Sequence, residues 1–366
     1  MIRRVQLNIG YSNQFKLETL NSIFKEYKKT LNEVIDLEWK DGNFKSKFSL
    51  KKVSTWLSAR MQQCLGKQAL EIVKSQRKKK NKTKPTFDKD IINLDQRFLD
   101  IRFDDSGKFD IWIKLTSIGN SIKLCLPSKK HKHLLKFLND PSWNIKKSAR
   151  LRKEGENYFI DLYFEKEAPE LKTEGGEIGL DCGYKKLLID SNGRIYDEGL
   201  EAVYEKISRK KQGSKKFYKA LRDRDNKINL SVKSIDLSSI KAVVVEDLKN
   251  VKKNTRKEKR ISKKFNNKLQ RWSYSKVLER LSRICEELGV DFIKVNPAHT
   301  SQTCSKCGLL GNRKSKTFKC PHCGHTSHAD INAAFNISNS GKLIEKPIVD
   351  RRKLSRTRED NEIGIK

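Results

Sequence analysis

The sequence predicts two unlike halves: a mainly-β domain carrying a helical insertion, followed by an α/β domain with a metal ribbon lodged in it. Three observations carry this. From about Ile91, short strand-like runs follow one another between turn signals; from Glu177, strands begin to alternate with helical periodicity; and four cysteines stand in two CxxC pairs between Cys304 and Cys323.

The elements follow in order. The opening IRRVQLNIGY alternates well enough for a strand. Leu17, Leu20, Ile23, Phe24, Tyr27, Leu31, Val34 and Ile35 then recur at helical spacing from Phe15 to Trp39, and a second helical stretch runs near Ser49–Ser75. It ends in QRKKKNKTKP, a charged loop stopped by Pro85. The runs RFLDIRFD, FDIWIKL, NSIKLCLP, SARLRKEG and NYFIDLYFEK read as the strands of a small antiparallel barrel or sandwich, into which the two helices are inserted. EIGLDCGYKKLLIDSNGRIYD reads as strand, turn and strand, opening toward a third. Next come the basic helical segment EKISRKKQGSKKFYKALRDR, the apolar strand IKAVVVEDL, a helix from near Leu269, the strand VDFIKVN and a last helix, DINAAFNI. Three strands, helix, strand, helix, strand, helix is the order that an RNase H-like domain requires. The tail after Ser338 is polar and aperiodic and reads as disordered. The boundaries expected are 1–172 for the β half, with its helical insert at about 15–85, then 173–303, a ribbon at 304–325, a closing helix at 326–340 and a tail at 341–366.

Charge restricts the partners. With 80 Lys and Arg against 45 Asp and Glu, the formal charge is +35. An excess of this size favours a polyanion, and nucleic acid is the commonest one. No apolar run approaches the ~20 residues needed to span a bilayer, and MIRRVQLNIGYSNQFKLE lacks the apolar core of a secretory signal, so an intracellular, cytoplasmic protein is expected. Cys64, Cys125, Cys182 and Cys285 are scattered among apolar neighbours and read as reduced, half-buried fillers. Lys78, Lys79 and Lys80, Arg209, Lys210 and Lys211, and Lys252, Lys253 and Arg260 lie in basic runs that are candidate phosphate contacts.

Cys304, Cys307, Cys320 and Cys323 pair as C-x₂-C with twelve residues between the pairs. Gly308 and Gly324 each follow a second cysteine, where the turning backbone needs freedom in φ. Four thiolates complete a Zn²⁺ tetrahedron and leave no open position, so one structural zinc is expected. A redox role would need a thioredoxin-like context that is absent. His322, His325 and His328 are then not needed as ligands and read as surface residues or phosphate contacts.

Three acids stand in unusual places. Asp181 interrupts an apolar strand, Glu246 ends another, and Asp330 opens a helix. A buried carboxylate is costly unless paired or metal-bound. Asp330 also suits an ordinary helix cap, and Glu246 an ordinary strand end. In an RNase H-like sheet the first and fourth strands are neighbours, so the three would meet. Such a cluster suits two Mg²⁺ or Mn²⁺ ions ~4 Å apart, one activating water and the other stabilising the leaving 3′ oxygen of a phosphodiester.

IGLDCG, VVVEDL and HADINAAFNI, with NPAHTSQTCSKCG and the helix around RWSYSKVLERL, resemble the RuvC motifs and zinc ribbon of the TnpB proteins and the compact type V CRISPR effectors. The resemblance is specific from about Glu177 to Ile337 and weaker before it, where the β half looks like that family's wedge and recognition regions. It implies an RNA-guided DNA endonuclease with a guide RNA and a double-stranded DNA target as partners, and a short flanking motif read by the protein. By that resemblance the catalytic residues are Asp181, Glu246 and Asp330 and the zinc ligands are the four cysteines. The interval from Asp181 to Glu246 looks short for the family, as if part of a paired-helix segment were missing, and Cys182 stands where an aliphatic residue is more familiar. A nuclease-inactive, guide-dependent repressor is the alternative; a guide-free structure-selective nuclease and a transposase are further ones.

Overall fold

The computed structural model describes residues 1–41, 50–80, 82–104, 106–117, 122–197, 199–248, 269 and 271–340. Lys252, Lys253, Arg260 and the 341–366 tail lie outside them. The chain divides into two compact units at Glu167 and Ala168.

In the first unit, β1 (Ile2–Asn8), β7 (Asn157–Glu165), β6 (Asn144–Glu154) and β2 (Ile91–Asp95) form an antiparallel sheet in that spatial order. A second antiparallel sheet holds β3 (Leu99–Phe103), β4 (Ile111–Ser117) and β5 (Ile122–Ser128). RFLDIRFD, expected as a strand, becomes one only from Leu99: a 3₁₀ turn at Gln96–Phe98 takes its first two residues, buries Phe98 and hands the chain over from β2, a strand not among the expected runs. The helices α1 (Gln14–Asp41) and α2 (Ala59–Arg77) are inserted between β1 and β2. Leu20, Ile23, Phe24, Tyr27, Leu31, Val34 and Ile35 of α1 are buried, and Tyr27 donates to Gln68 of α2 at 3.0 Å. The second helix starts well after Ser49, at the point where the Ser58 hydroxyl accepts from the Met61 N–H. One short helix, α3 (Lys132–Leu138), was not expected. It buries only Leu134 and Phe137, too few positions for a periodic signal, and its cap is a histidine, His131, which accepts from Leu134 N–H.

In the second unit, β8 (Gly176–Cys182), β9 (Leu188–Asp190), β10 (Ile195–Tyr196), β11 (Ile240–Glu246) and β12 (Asp291–Val295) make one sheet, ordered β10-β9-β8-β11-β12. The first three strands are antiparallel, whereas β8, β11 and β12 run parallel. The basic segment is two helices, α4 (Leu200–Ser208) and α5 (Lys215–Lys233), so a helix pair does occupy the interval between Asp181 and Glu246. Gly213, at φ +83°, turns the chain, and the Ser214 hydroxyl caps α5. The amphipathic α6 (Tyr274–Leu288) then crosses over, burying Val277, Leu278, Leu281 and Cys285 on one face of the sheet with Ile178, Leu180, Val243 and Val245. The final α7 (Ala329–Ser340) covers the other face, where Ile337 meets Val244 and Val295. Between β12 and α7 lies a three-stranded ribbon of β13 (Asn312–Lys314), β14 (Thr317–Lys319) and β15 (Thr326–His328). Its third strand runs past the expected end at residue 325 and stops at His328, directly before α7. Cys182 and Cys285 are buried and Cys64 is half-buried, but Cys125 is exposed, because it lies on the outward-facing register of β5. No helix among the described residues is long and apolar enough to cross a membrane.

Candidate active site

Strand alternation places Glu177, Gly179 and Asp181 of β8 on one face, and Ala242, Val244 and Glu246 of β11 on the same face. The two strands are parallel neighbours with Leu180 paired to Val245, so Asp181 and Glu246 stand side by side one step further on. That face is the one α7 covers. Gly179 is what lets it approach: a Cβ there would lie 2.1 Å from the Ala334 carbonyl oxygen and 2.5 Å from the Ser338 nitrogen. Ala329, Ala333, Ala334 and Ile337 form the buried side of this helix, and the small residues bring its axis close to the strand.

Asp330 lies in the first turn of α7. It is not the cap: the backbone N–H of Asp330 donates to His328 Nδ1 at 3.3 Å, so the histidine takes the capping role and the aspartate side chain is left for other contacts. It has one strong partner, Arg313 of β13, whose Nη2 is 2.6 Å from Asp330 Oδ1. The same guanidinium acts electrostatically on Asp181 and on Glu246. Arg313 therefore faces all three acids from the ribbon.

The crowding of carboxylates shows at Asp181. Burial pushes the Asp181 carboxyl up to about 7, and the charges of Glu246 and Asp330 add to the rise while Arg313 opposes it. Burial also raises Glu246, against a hydrogen bond from Thr300 and the field of Arg313. Oxygen donors of this kind suit a hard divalent cation such as Mg²⁺ or Mn²⁺, whose charge would relieve the shift.

The four cysteines form a tighter donor set, and among the described residues it is the only group of metal-ligating side chains whose donor atoms already cluster closely enough to hold an ion. Their sulfurs all lie within 4.8 Å of one another. Cys304 Sγ is 3.7 Å from Cys323 Sγ, and Cys307 Sγ is 3.5 Å from Cys320 Sγ. Four Zn–S bonds of ~2.3 Å in a tetrahedron put sulfurs about 3.8 Å apart, so the cluster fits zinc. The two knuckles are built alike. Gly308 N–H donates to the Cys304 carbonyl and Gly324 N–H to the Cys320 carbonyl, at φ +74° and +72°. Burial works against the Cys320 thiolate, but the N–H groups of Cys323 and His322 outweigh it and hold the thiol down at about 7. Phe318, fully buried, packs with Cys304, Cys320 and Ala329, which joins the ribbon core to the start of α7. Replacing Cys304 with Ser is expected to release the zinc and lower the unfolding temperature of the second unit. Zinc stoichiometry measured by atomic absorption, remaining at one per chain, would refute the ligand assignment.

Of the histidines, His328 caps α7 and His325 Nε2 is 3.4 Å from the Ser305 hydroxyl, while His322 is half-buried. Lys78, Lys79 and Lys80 are exposed at the end of α2, and Arg209, Lys210 and Lys211 line the turn between α4 and α5, where Arg209 pairs with Glu205.

A protein-family profile described as Cas12f1-like, TNB domain, matches residues 274–337. The chain is 38% identical over 111 residues to a CRISPR-associated endodeoxyribonuclease Cas12f1 of Sulfoacidibacillus thermotolerans, covering 29% of this chain and 24% of that one. It is 40% identical over 99 residues to a TnpB-like protein of Aquifex aeolicus, covering 26% and 31%. The matched segments thus span a third or less of either relative. Among solved structures, a Cas12f1–sgRNA–target DNA complex aligns over 87% of this chain and 82% of that one, with a TM-score of 0.56 and 18% identity. The mini-RNA-guided endonuclease CRISPR-Cas_phi3 aligns over 95% and 93%, with a TM-score of 0.56 and 11% identity. These two share the fold.

Proposed function

From its membership of the TnpB-like family, carried most specifically by residues 274–337, we propose that this chain is an RNA-guided DNA endonuclease. The relatives named above include Cas12f1 endodeoxyribonucleases and a structure holding guide RNA and target DNA. The observation that supports the reading is that Asp181 and Glu246 stand on neighbouring parallel strands and Asp330 in the first turn of the helix covering that face, with Arg313 paired to Asp330 and its charge acting on the other two. The sheet order, with a parallel fourth strand beside the acid-bearing first, supports an RNase H-like, RuvC-type domain. The first unit would act as the wedge, with α1 and α2 as its recognition insert.

Asp181, Glu246 and Asp330 would hold two divalent cations, Mg²⁺ or Mn²⁺. Bound there, these supply charge neutralisation and an acidified water for in-line hydrolysis of a phosphodiester. The chain's own contribution is positional. The shared sheet face sets Asp181 against Glu246, α7 delivers Asp330, and the Arg313 guanidinium offers a donor fork to a phosphate oxygen. The +35 charge then serves to neutralise guide RNA, heteroduplex and displaced strand in an intracellular complex.

The test is to purify the protein with the RNA that accompanies it, sequence that RNA, and assay cutting of a matched DNA duplex with Mg²⁺. Wild type is expected to cut both strands and Asp181→Ala neither. A guide-dependent repressor would bind the matched duplex equally well in both forms and leave it whole.

A further inference from the structure

The polar residues between the acids and the cysteine cluster are buried, paired and unexplained by either site alone. Thr300, in the loop that leads to the ribbon, is 6% exposed, and its hydroxyl donates to Glu246 Oε1. The same hydroxyl lies 3.1 Å from the Pro297 carbonyl, but it has one proton, and the charged acceptor makes the stronger bond. The loop is held in turn by α7. Asn336 Nδ2 donates to the Thr300 carbonyl at 2.8 Å and to the Thr303 carbonyl at 2.6 Å. Asn332 Nδ2 donates to that Thr303 carbonyl at 2.7 Å, while its Oδ1 accepts from Ser305 N–H at 2.9 Å. Ser305 directly follows Cys304.

Two asparagines four residues apart share one face of a helix, here 1% and 9% exposed. A buried amide in a helix interior is unfavourable unless its hydrogen bonds are made, and both asparagines make bonds to this loop. At the head of that loop His299 adopts φ +67°, a conformation uncommon for a residue with a side chain, and its carbonyl accepts from Gln302 and Thr303 N–H. The loop is thus over-determined from both ends.

We infer that Thr300 is a positioning residue: it fixes one oxygen of Glu246 for cation binding, and Asn332 and Asn336 tie that position to the zinc-held ribbon. The route runs Glu246, Thr300, Asn336, Thr303, Asn332, Ser305 and then Cys304, each step a hydrogen bond or the next residue in the chain. The inference rests on the reading of the three acids as a divalent-cation site. It makes zinc a determinant of affinity for the second metal, in addition to its role in folding the ribbon.

The test measures Mn²⁺ binding to the full chain by electron paramagnetic resonance of the free ion, with zinc content determined in parallel. Thr300→Val keeps the shape and deletes the donor; Thr300→Ser keeps the donor. Losing a hydrogen bond to a charged group is expected to weaken Mn²⁺ binding about tenfold or more in Thr300→Val, with zinc unchanged, and Thr300→Ser is expected to bind as wild type does. Removing zinc with a chelator that is then dialysed away should weaken Mn²⁺ binding in both proteins, since Arg313 and the start of α7 also depend on the ribbon, but by a smaller factor in Thr300→Val; an equal factor in both overturns the route through Thr300. Equal affinity in wild type and Thr300→Val, or equal loss in the Val and Ser variants, overturns the positioning role. If wild type and Asp181→Asn bind Mn²⁺ alike, the cation site itself falls, and the positioning role with it.

Discussion

Asp181→Asn is expected to abolish DNA cutting and, in the absence of divalent cations, to make the protein more stable above pH 7. The two effects have one cause. The folded carboxyl titrates at about 7, raised by burial and by Glu246 and Asp330, whereas an unfolded aspartate titrates near ~3.9. Below that lower value both states are protonated and the side chain makes no difference. Between the two values the unfolded chain has lost its proton and the folded one has kept it, so a penalty against folding grows as pH rises. Above about 7 both are ionised and the full penalty persists. Asparagine removes it at nearly the same volume. The variant should melt about 2–6 °C above wild type at pH 8 in chelator, with the gap closing toward pH 4. Saturating Mg²⁺ should close it too, by stabilising wild type alone. Scanning calorimetry at the two pH values decides this; a variant less stable than wild type at pH 8 would mean that the carboxylates are not crowded.

The second large effect is expected at a residue with no side chain. Gly179→Ala places a methyl carbon 2.1 Å from the Ala334 oxygen and 2.5 Å from the Ser338 nitrogen, both backbone atoms that no rotamer change can move aside. The helix must lift from the sheet by more than an ångström, separating Asp330 from Asp181 and opening the packing of Ile337 on Val244 and Val295. A cost of about 2–4 kcal/mol is expected by urea denaturation, with cutting reduced to background. Gly176→Ala is the control. It lies on the same strand, its new carbon would be in ordinary contact with Ile240 at 3.6 Å, and a change within about 0.5 kcal/mol is expected. If both substitutions behave alike, the close approach of α7 is not what seats Asp330.

What was legible in the sequence follows from how locally each feature is written. The cysteine spacing is a short-range signal, and so is an acid that breaks an apolar strand. Their meeting was legible only through the order of elements. Arg313, Thr300, Asn332 and Asn336 were not found, for a shared reason. Each is an ordinary polar residue whose partner is distant in the chain: Arg313 in a basic hairpin, Thr300 in a loop, the asparagines on a helix read only for its first acid. One signal was available, since in DINAAFNI the two asparagines stand four apart beside alanines, a spacing that sets amides on one side of the helix. The histidine caps of α3 and α7 were missed because Ser, Thr, Asp and Asn dominate expectation at that position. Cys182, expected as a half-buried filler and an unfamiliar neighbour of Asp181, is a buried thiol on the opposite face of β8.

The last described helix also sets a timetable. Asp181 and Glu246 are synthesised early, but they remain an incomplete pair until the ribbon has closed and α7 has settled onto Gly179. A nascent chain still on the ribosome, or one truncated anywhere before residue 330, holds no third acid. If the three acids are the cutting site, the activity is expected only once translation has passed residue 330, and proteolysis that removes this helix is expected to abolish it.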